Sequence, residues 1–292
     1  QINAIFVEKE VFDCMIQLIA LDIDGTIVDS KGVLHSPIIE ATEASAKAGI
    51  KLVICSGRPF ESVESFAKAL GVKDYIICLN GCELRSLETR AVLEAVCLPG
   101  ALAVDIFRRL EQERPAPKVQ IFIYKIRILY FGKNNVEKIF HKTCRIEEAT
   151  MQQLLQYAEK DEIRKIELCN VKYSSAAFRD SLISTQGISL FGSWEHSIEC
   201  VSHYADKGIM LQKLTELLNI SREQVMAVGD YNNDLGMIRF AGVGVAMGNA
   251  LPELKAVARY ITEDCDHNGA AKAIRRYLMG MKPGSENGLD IV

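Results

Sequence analysis

Apolar residues run almost without a break from Ile16 to Ile23, the pattern of a strand covered on both faces. Ser36-Pro37 then reads as an N-cap and first helical position, and Gly49 closes that helix. Lys51 to Cys55 is a second buried strand, Pro59 opens another helix that ends at Gly71, and Tyr75 to Leu79 is a third strand. This alternation predicts a parallel sheet with helices on both faces. The rhythm changes after Asn80-Gly81. Residues 83–98 read as a hairpin, Val119 to Phe131 as two adjacent strands with helical stretches before and after, and Ile163 to Cys169 and Ile188 to Cys200 as further strands. Ala205 to Leu218 is an amphipathic helix with Met210, Leu211, Leu214, Leu217 and Leu218 on one face. A strand at Val225 to Val228, a helix, a strand at Val243 to Met247 and a last helix restore the first rhythm.

The pattern predicts an α/β protein: a Rossmann-like parallel-sheet core that is split in sequence, with an α+β domain inserted into it. The core is expected at 15–82 and 199–280 and the inserted domain at 83–198. Residues 1–14 have no clear period and read as an extension or tag, and 281–292 as a frayed tail. A chain of 292 residues is long enough for two such domains.

Charge narrows the partners. Lys and Arg total 34 against 38 Asp and Glu, a formal net charge of −4. This removes the electrostatic case for nucleic acid or a membrane surface, and leaves small anionic substrates open, because those respond to local charge. No stretch approaches the ~18 apolar residues of a transmembrane helix. The first fourteen residues carry Glu8, Lys9, Glu10 and Asp13 rather than a signal-peptide pattern. Nine cysteines, an odd number with no framework, read as reduced thiols of a cytoplasmic protein. The expected assembly is a monomer or weak homo-oligomer.

Four stretches carry candidate chemistry. Leu21-Asp22-Ile23-Asp24-Gly25-Thr26 places two carboxylates at the carboxyl end of a buried strand, where ligands bind in open parallel sheets. Burying acids there is costly unless a cation compensates them, and hard carboxylate oxygens suit Mg2+. An ordinary strand end with solvated acids reads the same way when D-x-D stands alone. Gly229-Asp230-Tyr231-Asn232-Asn233-Asp234 is a second acidic strand end, which makes chance much less favoured. Cys55-Ser56-Gly57-Arg58-Pro59 offers a hydroxyl and helix-start N–H groups to a phosphate, although Ser56 alone reads equally well as a cap. Asp206-Lys207-Gly208 puts a cation at a helix start, against the macrodipole unless an anion sits there.

In this order and spacing, the four stretches resemble the motifs of the haloacid dehalogenase superfamily of phosphatases and phosphotransferases, most closely its Cof-type sugar-phosphatase branch, over residues 15–280. Leu79-Asn80-Gly81 and Val245-Ala246-Met247-Gly248-Asn249-Ala250 are similar to further Cof stretches. Asp266-His267-Asn268-Gly269-Ala270 is similar to the branch's Asp-Gly-Val ending, with Asn268 where Asp is usual. The resemblance implies that Asp22 is the nucleophile, forming an aspartyl phosphate, and that Asp24 protonates the leaving oxygen and then deprotonates water. It implies Mg2+ held by Asp22, the backbone carbonyl of Asp24, and Asp230, with Asn233 or Asp234 as a further partner. Lys207 neutralises the phosphoryl oxygens and Ser56 hydrogen-bonds one of them, while Gly25, Gly57, Arg58, Asn80 and Asn233 complete the phosphate-binding set.

The implied activity is Mg2+-dependent hydrolysis of small phosphorylated metabolites, sugar phosphates above all. A phosphomutase or phosphotransferase of the same superfamily is the nearest rival. An aspartate-phosphorylated signalling or binding protein is the rival from another class, and Asp24 and the insertion argue against it. The histidines show no zinc-protease spacing. His35 is placed in a loop before a helix cap, and Trp194 and Tyr204 as packing residues. The inserted segment resembles the Cof cap, which selects substrate; Arg85, Lys125, Arg164, Lys165 and Glu167 are its candidate contacts.

Overall fold

The computed structural model describes residues 16–113, 118–123, 127–131, 145–169, 171–193, 195–278 and 290–291. Trp194, His141, Lys125 and residues 1–14 lie outside the described residues. In chain order the strands are β1 (Leu18–Leu21), β2 (Lys51–Cys55), β3 (Tyr75–Cys78), β4 (Glu83–Ser86), β5 (Val92–Ala95), β6 (Lys118–Ile123), β7 (Arg127–Phe131), β8 (Arg145–Ala149), β9 (Ile163–Cys169), β10 (Ile188–Ser193), β11 (Ser197–Ser202), β12 (Val225–Gly229), β13 (Val243–Ala246), β14 (Tyr260–Ile261) and β15 (Asp290–Ile291). The helices are α1 (Ser36–Lys47), α2 (Phe60–Ala69), α3 (Gly100–Gln112), α4 (Met151–Glu159), α5 (Ala176–Ile183), α6 (Lys207–Leu218), α7 (Leu235–Phe240), α8 (Pro252–Lys255) and α9 (Gly269–Leu278). Among the described residues, those up to 55, 67–75 and from 211 onward form one compact unit, and those within 56–66 and 76–210 form a second.

In the first unit, β1 is buried at every position and pairs in parallel with β2 on one side and β12 on the other. β12 pairs in parallel with β13, and β13 with β14, while β15 runs antiparallel against β14. A strand flanked on both edges and covered on both faces has no solvated side, which is why its sequence is continuously apolar. The parallel sheet read from the strand–helix rhythm is therefore the architecture of this unit. β1 is shorter than the apolar run because the ladder ends where Asp22 begins; the Asp22 amide makes the last bond, to the Val228 carbonyl at 3.1 Å.

The second unit carries a six-stranded sheet in the order β10-β11-β9-β6-β7-β8, antiparallel except for β7 against β8. Its apolar face packs on α3, α4 and α5 through a core that includes Val119, Ile121, Ile166, Leu168, Ile198, Phe107 and Leu154. The alternate positions, Phe122, Lys165, Glu167 and Glu199, lie on the other face, as the period of two requires. β4 and β5 form the hairpin expected over 83–98.

The run from Ile188 to Cys200 supplies its expected strands as an antiparallel hairpin, β10 and β11. Several local expectations are corrected. The cap of α1 is His35 rather than Ser36, with Pro37 inside the first turn, where helix amides have no intrahelical acceptor to lose. Leu217 is 58% exposed: the buried stripe of α6 runs through Met210, Leu211, Leu214 and Thr215, rotated away from it. Tyr204 is 71% exposed, its ring edge-on to that of His203, because it falls in the turn after β11 rather than in a strand.

Candidate active site

The first group of candidate residues is built on neighbouring strand ends. Leu21 of β1 lies opposite Val228 of β12 in a parallel pair, so Asp22 and Asp230 both leave the sheet at its carboxyl edge. Asp22 is 5% exposed and Asp234 is fully buried. One oxygen of Asp234 accepts from the backbone amides of Asp230, at 2.9 Å, and Tyr231, at 3.1 Å, which folds the loop after β12 back on itself. The result brings carboxylate oxygens of Asp22, Asp230 and Asp234 within 4.8 Å of one another. The side chain of Asp24 is not among them; it is exposed in the turn that follows β1, and Asn233 is half-buried in the turn before α7.

Glycine is required on both sides of this trio. Gly25 has φ +75°, and a Cβ there would fall 2.3 Å from Asp230 Oδ2. A Cβ on Gly229 would fall 2.6 Å from the Asp234 carboxylate. Two further side chains hold Asp230: the Thr26 hydroxyl donates to Oδ1 at 3.3 Å, and the Asn249 amide to Oδ2 at 3.1 Å and to the Gly25 carbonyl at 2.9 Å. Asn249 completes its bonding by accepting from the Cys265 amide at 3.0 Å. Both residues lie in the quoted motifs, but nothing in the sequence singled them out as partners of Asp230. Asn268, which departs from the family pattern, is in the left-handed conformation at φ 58°, one that Asn tolerates better than most residues.

Three carboxylates in such proximity repel one another, and burial of two of them removes the water that would screen the repulsion. A hard, oxygen-only donor set of this kind fits a divalent cation.

The second group lies within the second unit. Ser56 is fully buried; its amide donates to the Ile77 carbonyl at 2.9 Å and its hydroxyl oxygen accepts from the Arg58 amide at 3.2 Å. Asn80, also fully buried, has φ 58° and donates its amide to the Ser56 carbonyl at 3.1 Å. Gly81 follows at φ +85°, and a Cβ there would meet the Asp206 carbonyl oxygen at 2.3 Å. Asn80-Gly81 is thus pressed against the start of α6. Asp206 caps that helix, its Oδ1 accepting from the amides of Gly208 at 2.6 Å and Ile209 at 3.0 Å. The carboxylate offsets the opposition between the helix dipole and Lys207, which is the first residue of α6 and fully buried. Gly57 and Arg58 are half-buried, the Arg58 guanidinium 5.1 Å above the Phe66 ring.

Residues 19–274 match the model of the haloacid dehalogenase-like hydrolases. The chain belongs to that family. It is an enzyme, a phosphoric monoester hydrolase of the haloacid dehalogenase type. It is 28% identical over 270 residues to the 5-amino-6-(5-phospho-D-ribitylamino)uracil phosphatase YcsE of Bacillus subtilis (strain 168), covering 91% of this chain and 98% of that one. It is 28% identical over 278 residues to the pyridoxal phosphate phosphatase YbhA of Escherichia coli (strain K12), covering 90% and 99%. Among solved structures, a haloacid dehalogenase-like hydrolase from Bacteroides thetaiotaomicron is 30% identical with a TM-score of 0.74, over 89% of this chain and 99% of that one.

The structure sorts the hydrolase's candidate cap residues by their partners. Arg85 lies between Glu61, at 4.0 Å, and Glu83, at 3.7 Å, and above the Phe60 ring at 4.1 Å. Arg164 bonds Glu83 at 3.1 Å and the Cys97 sulfur. Both arginines are therefore engaged in a buried ionic cluster. Lys165 and Glu167 lie on the polar face of the six-stranded sheet, with Glu199 opposite Glu167 in register. The seven described cysteines are free thiols, and burial pushes those of Cys78, Cys82 and Cys200 up, Cys200 to about 12, so none of these three is a ready thiolate nucleophile.

Burial, with the Glu199 carboxylate adding to it against the opposing charge of Lys165 and the Cys169 thiol, lifts the Glu167 carboxyl from its ordinary 4.5 to about 7. A carboxyl raised in the folded state stabilises the fold below its unfolded pKa, and that contribution is lost as pH rises through the folded value. The loss between pH 5 and 8 is expected to be on the order of 1–3 kcal/mol. Glu167→Gln removes it, so the variant should gain melting temperature relative to wild type as pH rises across this range. A difference in melting temperature that is the same at pH 5 and pH 8 would show that Glu167 titrates normally.

Proposed function

We propose that this hydrolase removes the phosphoryl group from small phosphorylated metabolites, sugar phosphates among them, in a Mg2+-dependent reaction through an aspartyl phosphate on Asp22. The observation that carries the reading is the trio of carboxylates at adjacent strand ends, with Asp22 buried among them. The phosphorylated ribityl and pyridoxal compounds named for the two relatives support the substrate class. The free thiols suit the reducing cytoplasm, and among the described residues no helix is long and apolar enough to cross a membrane.

In this reading Asp22 attacks phosphorus and the ester bond to the leaving oxygen breaks. Asp24 gives that oxygen a proton, then takes one from the water that cleaves the acyl phosphate. Ser56 donates its hydroxyl to a phosphoryl oxygen, and Lys207 supplies a positive charge. Asp22, Asp230 and Asp234, with the Asp24 carbonyl and Asn233, are the residues that would hold Mg2+, which when bound neutralises charge on the phosphoryl oxygens. Residues 83–198 select the substrate.

A phosphate-release screen over sugar phosphates, nucleotides and cofactor phosphates tests the reading. Chelation should lower the rate at least ~10²-fold, because charge neutralisation by a bound cation is worth several kcal/mol, and added Mg2+ should restore it. Restoration by Zn2+ and not by Mg2+ would overturn the metal assignment, and no phosphate release from any compound would overturn the activity.

A further inference from the structure

Ser56 accepts a hydrogen bond from the Arg58 amide, so its own proton is free to point elsewhere. That amide belongs to the peptide whose other end is the Gly57 carbonyl, and the Gly57 carbonyl accepts from Lys165 Nζ at 2.9 Å. Lys165 comes from β9, far away in sequence, and is 2% exposed. Burial disfavours its charge, but Glu199 and Glu167 outweigh that effect and keep it cationic. It is ion-paired with Glu199 of β11 and lies 4.6 Å from the centre of the Phe122 ring. The second oxygen of Glu199 accepts from the Asn80 amide. Gly57 has no room for a side chain between them: a Cβ would fall 2.7 Å from Asn80 Oδ1 and 3.3 Å from Glu199 Oε2.

These bonds form a chain from the six-stranded sheet to the Ser56 hydroxyl. A buried ammonium on the Gly57 carbonyl draws electron density from the peptide and strengthens the Arg58 amide as a donor. That amide in turn occupies a lone pair of Ser56 Oγ and leaves the hydroxyl proton for another acceptor. Glu199 fixes the lysine and, through Asn80, the turn that bonds the Ser56 carbonyl.

We propose that Lys165 and Glu199 are positioning residues for phosphoryl binding, acting by holding the Ser56-Gly57-Arg58 loop so that the Ser56 hydroxyl is left to donate to a phosphoryl oxygen. The proposal rests on the reading that Ser56 binds a phosphoryl oxygen. It assigns to two residues of the six-stranded sheet a role in binding the group common to all substrates, separate from selection among leaving groups.

The test is a double-mutant cycle between the pair and Ser56. Lys165→Met alone would strand the Glu199 charge, so the variant used is Lys165→Met with Glu199→Gln, which is neutral and keeps an acceptor for Asn80. Far-ultraviolet dichroism and melting temperature establish that it folds. The cycle is read on 4-nitrophenyl phosphate turnover and, separately, on inorganic phosphate binding by calorimetry. In the wild-type background the paired substitution should weaken phosphate binding and lower kcat/KM about tenfold, the loss of one charge-assisted hydrogen bond. In the Ser56→Ala background it should cost less than about twofold, since the hydroxyl it orients is gone. An equal loss in both backgrounds overturns the proposal, as does unchanged phosphate binding in the wild-type background. Wild-type protein that binds phosphate but turns over no ester contradicts the phosphatase reading alone, and the binding cycle still decides the role of the pair.

Discussion

Asp22→Asn is expected to abolish phosphate release while leaving the fold intact. The amide has nearly the shape of the carboxylate, and the backbone bond from residue 22 to the Val228 carbonyl does not depend on the side chain. Chemically the exchange is severe. An amide oxygen is a poor nucleophile toward phosphorus, and the trio with Asp230 and Asp234 loses one of its charges. Removing the nucleophile of a covalent mechanism costs on the order of 10⁴-fold or more in kcat. In the presence of a chelator the variant should melt no lower than wild type, because one of three mutually repelling carboxylates has become neutral. Phosphate release and a melting curve are the two measurements. Turnover within tenfold of wild type would remove Asp22 from the nucleophile role, and a collapsed melting temperature would give it a structural one.

Asp24→Asn should separate proton transfer from charge. Its side chain is exposed in the turn after β1 and lies outside the carboxylate trio. As the general acid it matters most when the leaving oxygen is a strong base. The burst of aspartyl phosphate formation on an alkyl ester such as a sugar phosphate should fall ~10²–10⁴-fold, the usual contribution of general acid catalysis. On 4-nitrophenyl phosphate, whose phenolate leaves without a proton, the burst should fall less than about tenfold. The burst is the required readout, since hydrolysis of the intermediate needs the same residue as a base for either substrate. Equal losses on the two esters would reduce Asp24 to a structural or metal-binding role.

The sheet of the first unit could be read in the sequence because its strands are buried on both faces, so each appears as an apolar run with a polar residue at its end. Asp22 and Asp230 stand out for the same reason: an acid directly after such a run is conspicuous. The partners that hold these acids are hidden. Asn249 reaches Asp230 only because the turn after β13 folds across, and Lys165 reaches Gly57 only through tertiary approach; neither leaves a periodic trace. The charges of the inserted segment were equally opaque. Arg85, Arg164, Lys165 and Glu167 look alike in sequence, yet the first two are tied into a buried ionic cluster with Glu83 while the other two share the polar sheet face. Tyr204 and Leu217 failed for the converse reason. An apolar side chain predicts a packed position, but a turn and a small rotation of the helix stripe leave each in water.

Asn80-Gly81 has a chemical consequence over time. An asparagine followed by glycine is the dipeptide most prone to lose ammonia, when the glycine nitrogen attacks the side-chain carbonyl and the ring that forms opens to aspartate or isoaspartate. The reaction needs a mobile backbone and a free carboxamide. Here the carboxamide is fully buried and bonded to Glu199, and the glycine is pressed on the Asp206 carbonyl. Asn268-Gly269 has the same chemistry in a less buried turn. Damage at Asn80 should therefore accumulate only as fast as this part of the second unit opens. Once formed, an aspartate at position 80 would confront the carboxylate of Glu199 across a gap sized for a hydrogen bond, and the opening that permitted the damage would become hard to reverse.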